Sequence, residues 1–252
     1  RQVLHDTLLD QYADIHPAVQ ANIDSLLLEN TYTVTTGHQL NIFTGSLYFI
    51  YKLVTVINTC KTLKEKYPDK NFVPVYWMAS EDHDFDEICY FHLFGKKYSW
   101  ECDQKGAVGR FKTDGLLQVL DQLPEKAEVF EKAYKNYDSL AEAVRYYINE
   151  LFGAEGVVAL DADDRRLKAE FAHVIEDDLI NHHANDLVEE TSSKLTALGY
   201  SAKVFPRTIN FFYLDGDIRE RIVIEDGTWK VLNTGLSFSL EEIKLIIANE
   251  PE

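Results

Sequence analysis

The sequence predicts an α/β protein with a Rossmann-like core, into which small β segments and a long helix are inserted. Two runs of β-branched and apolar residues, 31–35 and 72–79, flank a helical pattern at 46–66. A third apolar run, 157–161, is again followed by a helical pattern. This alternation of strands and helices is typical of a parallel sheet that is covered by helices.

The 252-residue chain is strongly acidic, with 42 Asp and Glu against 25 Lys and Arg and a net charge of −17. Binding to a nucleic-acid backbone requires a basic stripe, and the sequence has none. An anionic membrane surface is disfavoured for the same reason, and no apolar run reaches the ~18 residues that a membrane span requires. We therefore expect no nucleic acid and no membrane among the partners. A small anionic substrate stays compatible, since a few backbone amides and one cation can hold it.

The cysteines and the chain ends give two further expectations. Cys60, Cys89 and Cys102 form no CxxC pair, and an odd number of such thiols is typical of a reduced, cytoplasmic protein. The chain begins at Arg1 rather than Met and stops at Glu252 soon after a helical pattern. We therefore expect it to be a fragment of a longer protein.

Apolar spacing and turn residues predict the remaining elements. Helices are expected within the first thirty residues and at 84–88, 165–181, 186–198 and after the capping box at Ser239. Strands are expected within 90–111 and, separated by Asp-Gly turns, at 210–214, 218–224 and 228–232.

The helix predicted at 46–66 carries one apolar face and one lysine. The face consists of Leu47, Ile50, Tyr51, Val54, Ile57 and Cys60. Lys52 lies on this otherwise apolar helix, and a lysine that extends its amine into solvent is the simplest interpretation.

A single long helix is predicted at 124–152, with Pro124 in its first turn. Its apolar residues follow a heptad rhythm at Phe130, Ala133, Tyr137, Leu140, Val144, Tyr147 and Leu151. The rhythm fits a coiled coil and fits an ordinary amphipathic helix equally well. The predicted segments are the first half of the core at 1–123, this helix at 124–152, and the rest of the core with a β-meander and the start of a C-terminal part at 153–252.

The clearest functional signal follows the first predicted strand. Its polar and small residues are Thr36, Gly37, His38, Gln39, Asn41, Thr44 and Gly45. A strand-to-helix turn offers free backbone N–H groups and the positive end of a helix dipole, which together favour an anion. His38 could donate a hydrogen bond from a ring nitrogen as negative charge develops on a substrate. A tight turn whose polar residues merely cap the next helix is the alternative.

A second polar cluster, residues 81–87, follows the second predicted strand. Its five carboxylates repel one another unless a cation, a basic partner or raised pKa values relieve them. Three roles stay open: a general base from His83 or a carboxylate, a metal site, or helix capping by Asp82 or Asp84. If the first two strands are parallel neighbours, both clusters meet at the sheet edge where open α/β folds place their sites.

Three residues elsewhere are weaker candidates. Asp161 ends a predicted strand, where it could contact a ribose or an amine, or cap the helix that begins near Arg165. Arg207 could offset the acidic cluster or hold a carboxylate with two hydrogen bonds, or form a surface salt bridge. Asn210 lies beside it in the same short motif.

Three motifs together resemble the cysteine-adding enzymes of bacillithiol biosynthesis, the cysteine ligase family. They are TGHQLNIFTGSLY at 36–48, PVYWMASEDHDFDE at 74–87 and PRTINFFY at 206–213. The resemblance runs through essentially the whole chain. It departs at Ser46, where the family usually has proline.

The resemblance implies a Rossmann core of the nucleotidyltransferase type and a reaction that joins L-cysteine to the amine of malyl-glucosamine. It also implies a helical coiled coil and a homodimer in the full-length protein. ATP with magnesium is the candidate cosubstrate, although the resemblance leaves its need open, and no tightly bound metal is expected. Carried onto this sequence, the active-site turn would comprise Thr36, Gly37, His38, Gln39, Asn41, Thr44 and Gly45, and its opposite wall Glu81, Asp82, His83 and Asp84.

Within that reading, His38 stabilises an anion, and His83 or Asp84 acts as a base or positions the amine. Two other functions also fit the residues. The acidic cluster could serve a metal-dependent hydrolase, and the heptad helix could belong to a non-catalytic dimerising module.

Overall fold

The structure is a computed structural model that describes residues 1–250, and it comprises two compact units, Arg1–Asp164 and Arg165–Glu252. This division differs from the three predicted segments. The expected long-helix region and the third parallel strand both pack into the core of the first unit, so the first unit runs to Asp164.

The first unit contains seven α-helices and five strands among the described residues. The helices are α1 Gln2–Gln11, α2 Pro17–Ser25, α3 Leu47–Lys66, α4 Phe85–Ile88, α5 Leu116–Leu120, α6 Glu128–Asn136 and α7 Leu140–Phe152. The strands are β1 Thr31–His38, β2 Asn71–Met78, β3 Tyr90–Leu93, β4 Lys96–Ser99 and β5 Val158–Asp161. The predicted small β insertion is therefore confirmed as the antiparallel hairpin β3–β4.

A parallel sheet with the strand order β1–β2–β5 forms the centre of this unit, as the strand–helix–strand pattern predicts. Thr31 pairs with Asn71 at one end of β1, and His38 pairs with Met78 at the other. Met78 in turn pairs with Asp161 of β5. Strand β1 thus runs three residues further than predicted, because its pairing with β2 continues to His38. Thr36, Gly37 and His38 consequently belong to the strand rather than to the turn.

The predicted inner face of α3 is partly wrong. The buried residues of this helix are Phe49, Leu53, Val56, Ile57 and Cys60, whereas Leu47 and Tyr51 are each 63% exposed. The helix carries two overlapping apolar stripes, and spacing alone does not choose between them. In the structure, the stripe that begins at Phe49 is the buried one. The Phe49 ring packs against the sheet residue Tyr76 and against the ring of His38.

The predicted long helix is two helices, α6 and α7, which are separated at residues 137–139. Ser139 starts α7 with a capping box: its hydroxyl accepts a hydrogen bond from the Glu142 N–H, and the Glu142 carboxylate accepts one from the Ser139 N–H. Pro124 lies outside the helix, which begins only at Glu128. Leu140, Val144 and Tyr147 are buried in the unit's own core. The ordinary amphipathic helix is therefore the correct interpretation of α7, and a continuous coiled coil at 124–152 is wrong.

The second unit contains a four-stranded antiparallel sheet and four α-helices among the described residues. The strands are β6 Phe212–Asp215, β7 Ile218–Glu225, β8 Thr228–Val231 and β9 Ser237–Phe238, and the helices are α8 Arg165–Glu170, α9 Ala172–Glu176, α10 His183–Ala197 and α11 Leu240–Asn249. The predicted meander is confirmed, and Asp226 and Gly227 both have positive φ in its hairpin turn. Trp229 in the small core donates from its indole nitrogen to the Leu179 carbonyl, 2.8 Å away.

The structure also bears on membrane crossing and on the state of the cysteines. No helix among residues 1–250 has the length and apolarity needed to cross a bilayer. Cys60, Cys89 and Cys102 are all free thiols, and burial raises the pKa of Cys60 to about 11.

Replacing Ser139 with Ala tests the break between α6 and α7. Loss of the cap should lower the free energy of unfolding by about 1 kcal/mol, whereas Ser139→Asp should retain most of it, because aspartate also caps helices well. Urea denaturation measures both. If residues 124–152 instead formed one continuous helix in solution, Ser139→Ala would stabilise the protein, since alanine is the better residue inside a helix.

Candidate active site

The parallel pairing of β1 and β2 brings the two polar segments to one edge of the sheet. His38 ends β1, and its carbonyl accepts a hydrogen bond from the Ala79 N–H, 3.1 Å away, just after β2. The Tyr76 hydroxyl donates to the same carbonyl at 3.1 Å. The segments that begin at Gln39 and at Ser80 therefore leave the sheet side by side, at the carboxyl ends of the strands.

His38 is half-buried and fixed by aromatic packing. Its ring stacks on Phe49, with centroids 5.0 Å apart and an angle of 11° between the planes, and Tyr48 meets it edge-on. Burial, followed by the positive charge of Lys52, lowers the pKa of His38 below its ordinary value of 6.5. The imidazole is consequently neutral near pH 7, so it can donate one hydrogen bond and accept another.

The position of Lys52 on an apolar helix predicted that its amine extends into solvent. The structure shows a different arrangement. Its ammonium group donates to the Gly37 carbonyl and lies 5.5 Å from the centre of the Tyr48 ring. The helix α3 thereby delivers a cation to the end of β1, beside His38. The available signal was a single charged residue in an apolar stretch, which sequence alone does not distinguish from a snorkelling lysine.

The turn after β1 is tied to the acidic segment by two amide side chains. Gln39 donates to the carboxylates of Asp82 (3.2 Å) and Glu87 (2.6 Å). Asn41 donates to the Glu87 carbonyl at 3.1 Å, and its own carbonyl accepts from the Tyr147 hydroxyl at 3.0 Å. The side-chain oxygen of Asn41 is buried and accepts no hydrogen bond from residues 1–250. These two amides thus hold the turn against the acidic segment.

The turn closes through an unusual backbone conformation. Phe43, Thr44 and Gly45 all have positive φ, of 51°, 66° and 59°, which is uncommon outside glycine. At Gly45 a side chain is also excluded by space, because an added Cβ would lie 2.4 Å from the Asn41 Cβ. The Tyr134 hydroxyl accepts from the Phe43 N–H at 3.1 Å and helps to hold this turn.

The acidic segment keeps a histidine between two carboxylates. His83 Nδ1 lies 3.5 Å from Asp82 and 3.8 Å from Asp84, and His83 is about half exposed. Asp82, His83 and Asp84 each offer a ligand atom within 4.8 Å of the others, so they could hold a metal ion. Capping by Asp84 is wrong, since its side chain makes no cap hydrogen bond to α4. Asp82 instead accepts from the His83 N–H at 2.8 Å.

Asp161 is held inside a network of protein groups at the end of β5. Its carboxylate accepts from the Ser80 hydroxyl, from the Asp163 N–H at 3.0 Å and from the buried Arg145 at 3.5 Å. Ser80 and Arg145 were missed by sequence reasoning. Only the presence of a charged residue within the apolar pattern of α7 could have drawn attention to Arg145.

Arg110 forms a second ion pair at this edge. Its guanidinium donates twice to Asp163, at 2.6 and 2.8 Å. The hydrogen bond to Asp163 is the main cause that raises the pKa of Arg110, and the charges of Glu81 and Asp161 contribute to the same shift. Glu81 therefore lies in the field of a cation, which relieves part of the repulsion predicted for the acidic segment.

Arg207 and Asn210 belong to the second unit, whereas the other candidates belong to the first. Asn210 donates from its side chain (2.8 Å) and its backbone (2.6 Å) to Asp178, a buried carboxylate that sequence reasoning missed. Arg207 is exposed. Within the second unit, Asn210 anchors a loop rather than presenting free donors.

An apolar cavity of about 340 Å³ opens beside the same turn. Its lining includes Phe43, Gly45, Phe91, Leu93, Phe94 and Phe130. It meets the site at Phe43 and Gly45, and its charged or titratable lining residues are His92, Glu125 and Lys126.

These features define an open α/β protein whose polar site lies at the carboxyl ends of parallel strands, where such folds bind their ligands. The chain belongs to the family described as bacillithiol biosynthesis BshC, N-terminal Rossmann-like domain, whose model matches residues 1–252.

Curated relatives support this assignment. A protein of Christiangramia forsetii is 46% identical over 100% of this chain and 50% of its own length, and one of Flavobacterium psychrophilum is 47% identical over 99% and 49%. A more distant protein of Staphylococcus carnosus is 28% identical over 95% and 48%. All three are named "Putative cysteine ligase BshC". The chain spans about half the length of these relatives.

Replacing Asp161 with Ala tests whether this carboxylate is mainly structural. The free energy of unfolding should fall by about 3 kcal/mol, because the buried Arg145 would lose its carboxylate partner. Asp84, whose side chain is half exposed, provides the control, and Asp84→Ala should change stability by less than about 0.5 kcal/mol. Equal stability of the two variants in urea denaturation would contradict the structural role of Asp161.

The protonation of His38 is open to direct measurement by NMR titration of the histidine ring signals. We expect a pKa below 6.5 in the native chain and a higher one in Lys52→Met, because the lysine charge disfavours the imidazolium. The unfolded chain binds this proton more readily than the folded chain does. His38 should therefore lower the free energy of unfolding as the pH falls through 6.5. An unchanged or lower pKa in Lys52→Met would show that Lys52 does not act on His38.

Proposed function

We propose that this chain forms the active-site part of a cytoplasmic enzyme that joins L-cysteine to the amine of malyl-glucosamine in bacillithiol biosynthesis. The observation that carries the proposal is the meeting of His38 and the 81–87 segment at the carboxyl edge of the sheet, in a chain of this family. The printed name of the relatives, cysteine ligase, supports the same reaction class.

Amide formation sets three chemical requirements on the site. The amine must be unprotonated, so that its lone pair can attack the activated carboxyl carbon of cysteine. As the C–N bond forms, negative charge develops on the carboxyl oxygen and must be stabilised. The bond to the leaving group then breaks, and the amine gives up its proton to a base.

We assign these tasks to residues by their surroundings. His38, which is neutral and fixed against Phe49, donates a hydrogen bond to the developing oxyanion together with backbone amides of the turn. His83, whose Nδ1 lies 3.5 Å from Asp82 and 3.8 Å from Asp84, accepts the amine proton. Asp84 positions the amine beside it. Thr36 and Gly37 end β1 beside the site, Gln39, Asn41, Thr44 and Gly45 shape the turn, and Glu81 and Asp82 form the facing wall.

Activation of the cysteine carboxyl requires a cosubstrate, and we propose ATP with magnesium. ATP would supply a phosphate or adenylate leaving group. The carboxylates of Asp82 and Asp84 are chemically suited to face its magnesium ion, since Mg²⁺ prefers oxygen ligands and these ligand atoms lie within 4.8 Å of one another. We propose no tightly bound metal beyond that ion.

Two finer features of the family remain part of the proposal. One is that the core is of the nucleotidyltransferase type. The other is that the whole protein is a homodimer. Because the apolar side of α7 is buried within this unit, the dimer contact should lie elsewhere in the protein.

A mass-spectrometric assay on the full-length protein tests the function. With L-cysteine, malyl-glucosamine, ATP and magnesium we expect bacillithiol, and His38→Ala should form it at least about tenfold more slowly, the scale of losing one oxyanion donor. His173→Ala, an exposed histidine of α9, should match the native rate. A native rate in His38→Ala, with folding intact by circular dichroism, would remove His38 from the mechanism.

The metal-dependent hydrolase makes a different prediction for the same protein. It requires a stoichiometric metal that is lost in His83→Ala, measurable by elemental analysis of purified protein. Absence of bacillithiol with and without ATP, combined with such a metal, would replace the ligase proposal with the hydrolase.

A further inference from the structure

We propose that Lys52 binds the carboxylate of a substrate at the carboxyl edge of the parallel sheet, beside His38. The inference rests on the proposed function and names the chemical group that this part of the site recognises. Lys52 would act by direct contact with the substrate.

The charges at this edge single out Lys52. Arg110 is paired with Asp163 through two short hydrogen bonds, and Arg145 is paired with Asp161. Lys52, in contrast, donates to a neutral carbonyl, and no carboxylate among residues 1–250 lies within salt-bridge distance of it. In a chain with a net charge of −17, a partly buried cation without a carboxylate partner suits an anionic ligand.

The ammonium group is also held in place for binding. Of its three N–H donors, one is directed to the Gly37 carbonyl, and no second acceptor within the described chain takes another. The Tyr48 ring, 5.5 Å away, provides a favourable face for the charge. The lysine stem is thus ordered before a ligand arrives, which lowers the entropic cost of binding.

His38 supplies a second donor next to this cation. The ring is oriented by its stack on Phe49 and by Tyr48, and neither ring nitrogen has a hydrogen-bond partner among residues 1–250. The charged group that acts on it is Lys52. A carboxylate has two oxygens, so it could accept from the ammonium with one and from the imidazole with the other.

The same charges favour a carboxylate over a phosphate. One lysine balances one negative charge, and the neighbouring segment 81–87 contributes five carboxylates that repel a multiply charged anion when no metal ion accompanies it. Both substrates of the proposed reaction carry carboxylates, on the malyl group and on cysteine.

Isothermal titration of the 252-residue chain with small probes tests this site. The probes are L-malate, L-cysteine, inorganic phosphate and the uncharged diamide of malic acid. We expect malate or cysteine to bind and Lys52→Met to raise its Kd about tenfold or more, since a hydrogen bond between charged groups is lost. Lys52→Arg should restore most of the affinity, because it keeps the charge.

Lys61 provides the matched control, since it lies on the same helix and pairs with Glu155 at 2.6 Å. Lys61→Met removes one positive charge from α3 and should leave the Kd within about twofold, because exposed charges contribute little. Equal weakening by both methionine variants would overturn the proposal in favour of a general charge effect. Binding that Lys52→Met leaves unchanged, binding of phosphate alone, equal binding of the diamide, or binding of no probe would also overturn it.

This outcome is separable from that of the proposed function. If His38→Ala abolishes bacillithiol formation while Lys52→Met binds malate and cysteine normally, the ligase stands and the carboxylate site fails. If the full-length protein forms no bacillithiol but Lys52 governs carboxylate binding, the site stands and the reaction is wrong.

Discussion

The parallel pairing of β1 with β2 is the constraint on which the rest of the first unit depends. Its register, from Thr31 with Asn71 to His38 with Met78, makes both strands end at the same level. A shift of one residue would turn every side chain of the shifted strand to the opposite face of the sheet. The stack of His38 on Phe49 and the approach of Lys52 to Gly37 both depend on this register, since α3 is the connection between the two strands.

The charge arrangement at that edge follows from where each cation is anchored. Arg110 and Arg145 neutralise Asp163 and Asp161, so the sheet end is stabilised by ion pairs that involve buried or nearly buried groups. Gln39 and Asn41 join the turn to the acidic segment through neutral amides. His38, Lys52 and His83 are then the candidate groups for contact with a ligand. This division separates structural polar groups from candidate chemical ones.

Much of the fold could be predicted from local pattern, because strands, turns and caps leave signals within a few residues. The capping box at Ser239 and the Asp226–Gly227 turn are examples. The sequence-based predictions were wrong where contacts distant in sequence determine the bounds or the buried face of an element. Strand β1 is longer than its β-branched run because β2 pairs with it. The helix α3 buries Phe49 rather than Leu47, and a capping box at Ser139 breaks a heptad pattern that looked continuous.

The candidate site was predictable in part for the same reason. The glycine-histidine turn and the acidic segment are visible as motifs, and two parallel strands suffice to bring them together. Lys52, Ser80 and Arg145 were not recognisable, because each acquires its role only from a partner distant in sequence. Asp178 in the second unit is a further case, since nothing local links it to Asn210.

The central claim is that substrate binds at the carboxyl edge of this sheet. Backbone amide chemical-shift mapping of the 252-residue chain with malyl-glucosamine tests it most directly. The account predicts that the largest shifts fall together in residues 37–45 and 79–84, the segments that leave β1 and β2. Shifts confined to residues 91–94 and 123–127, which line the apolar cavity, would contradict it.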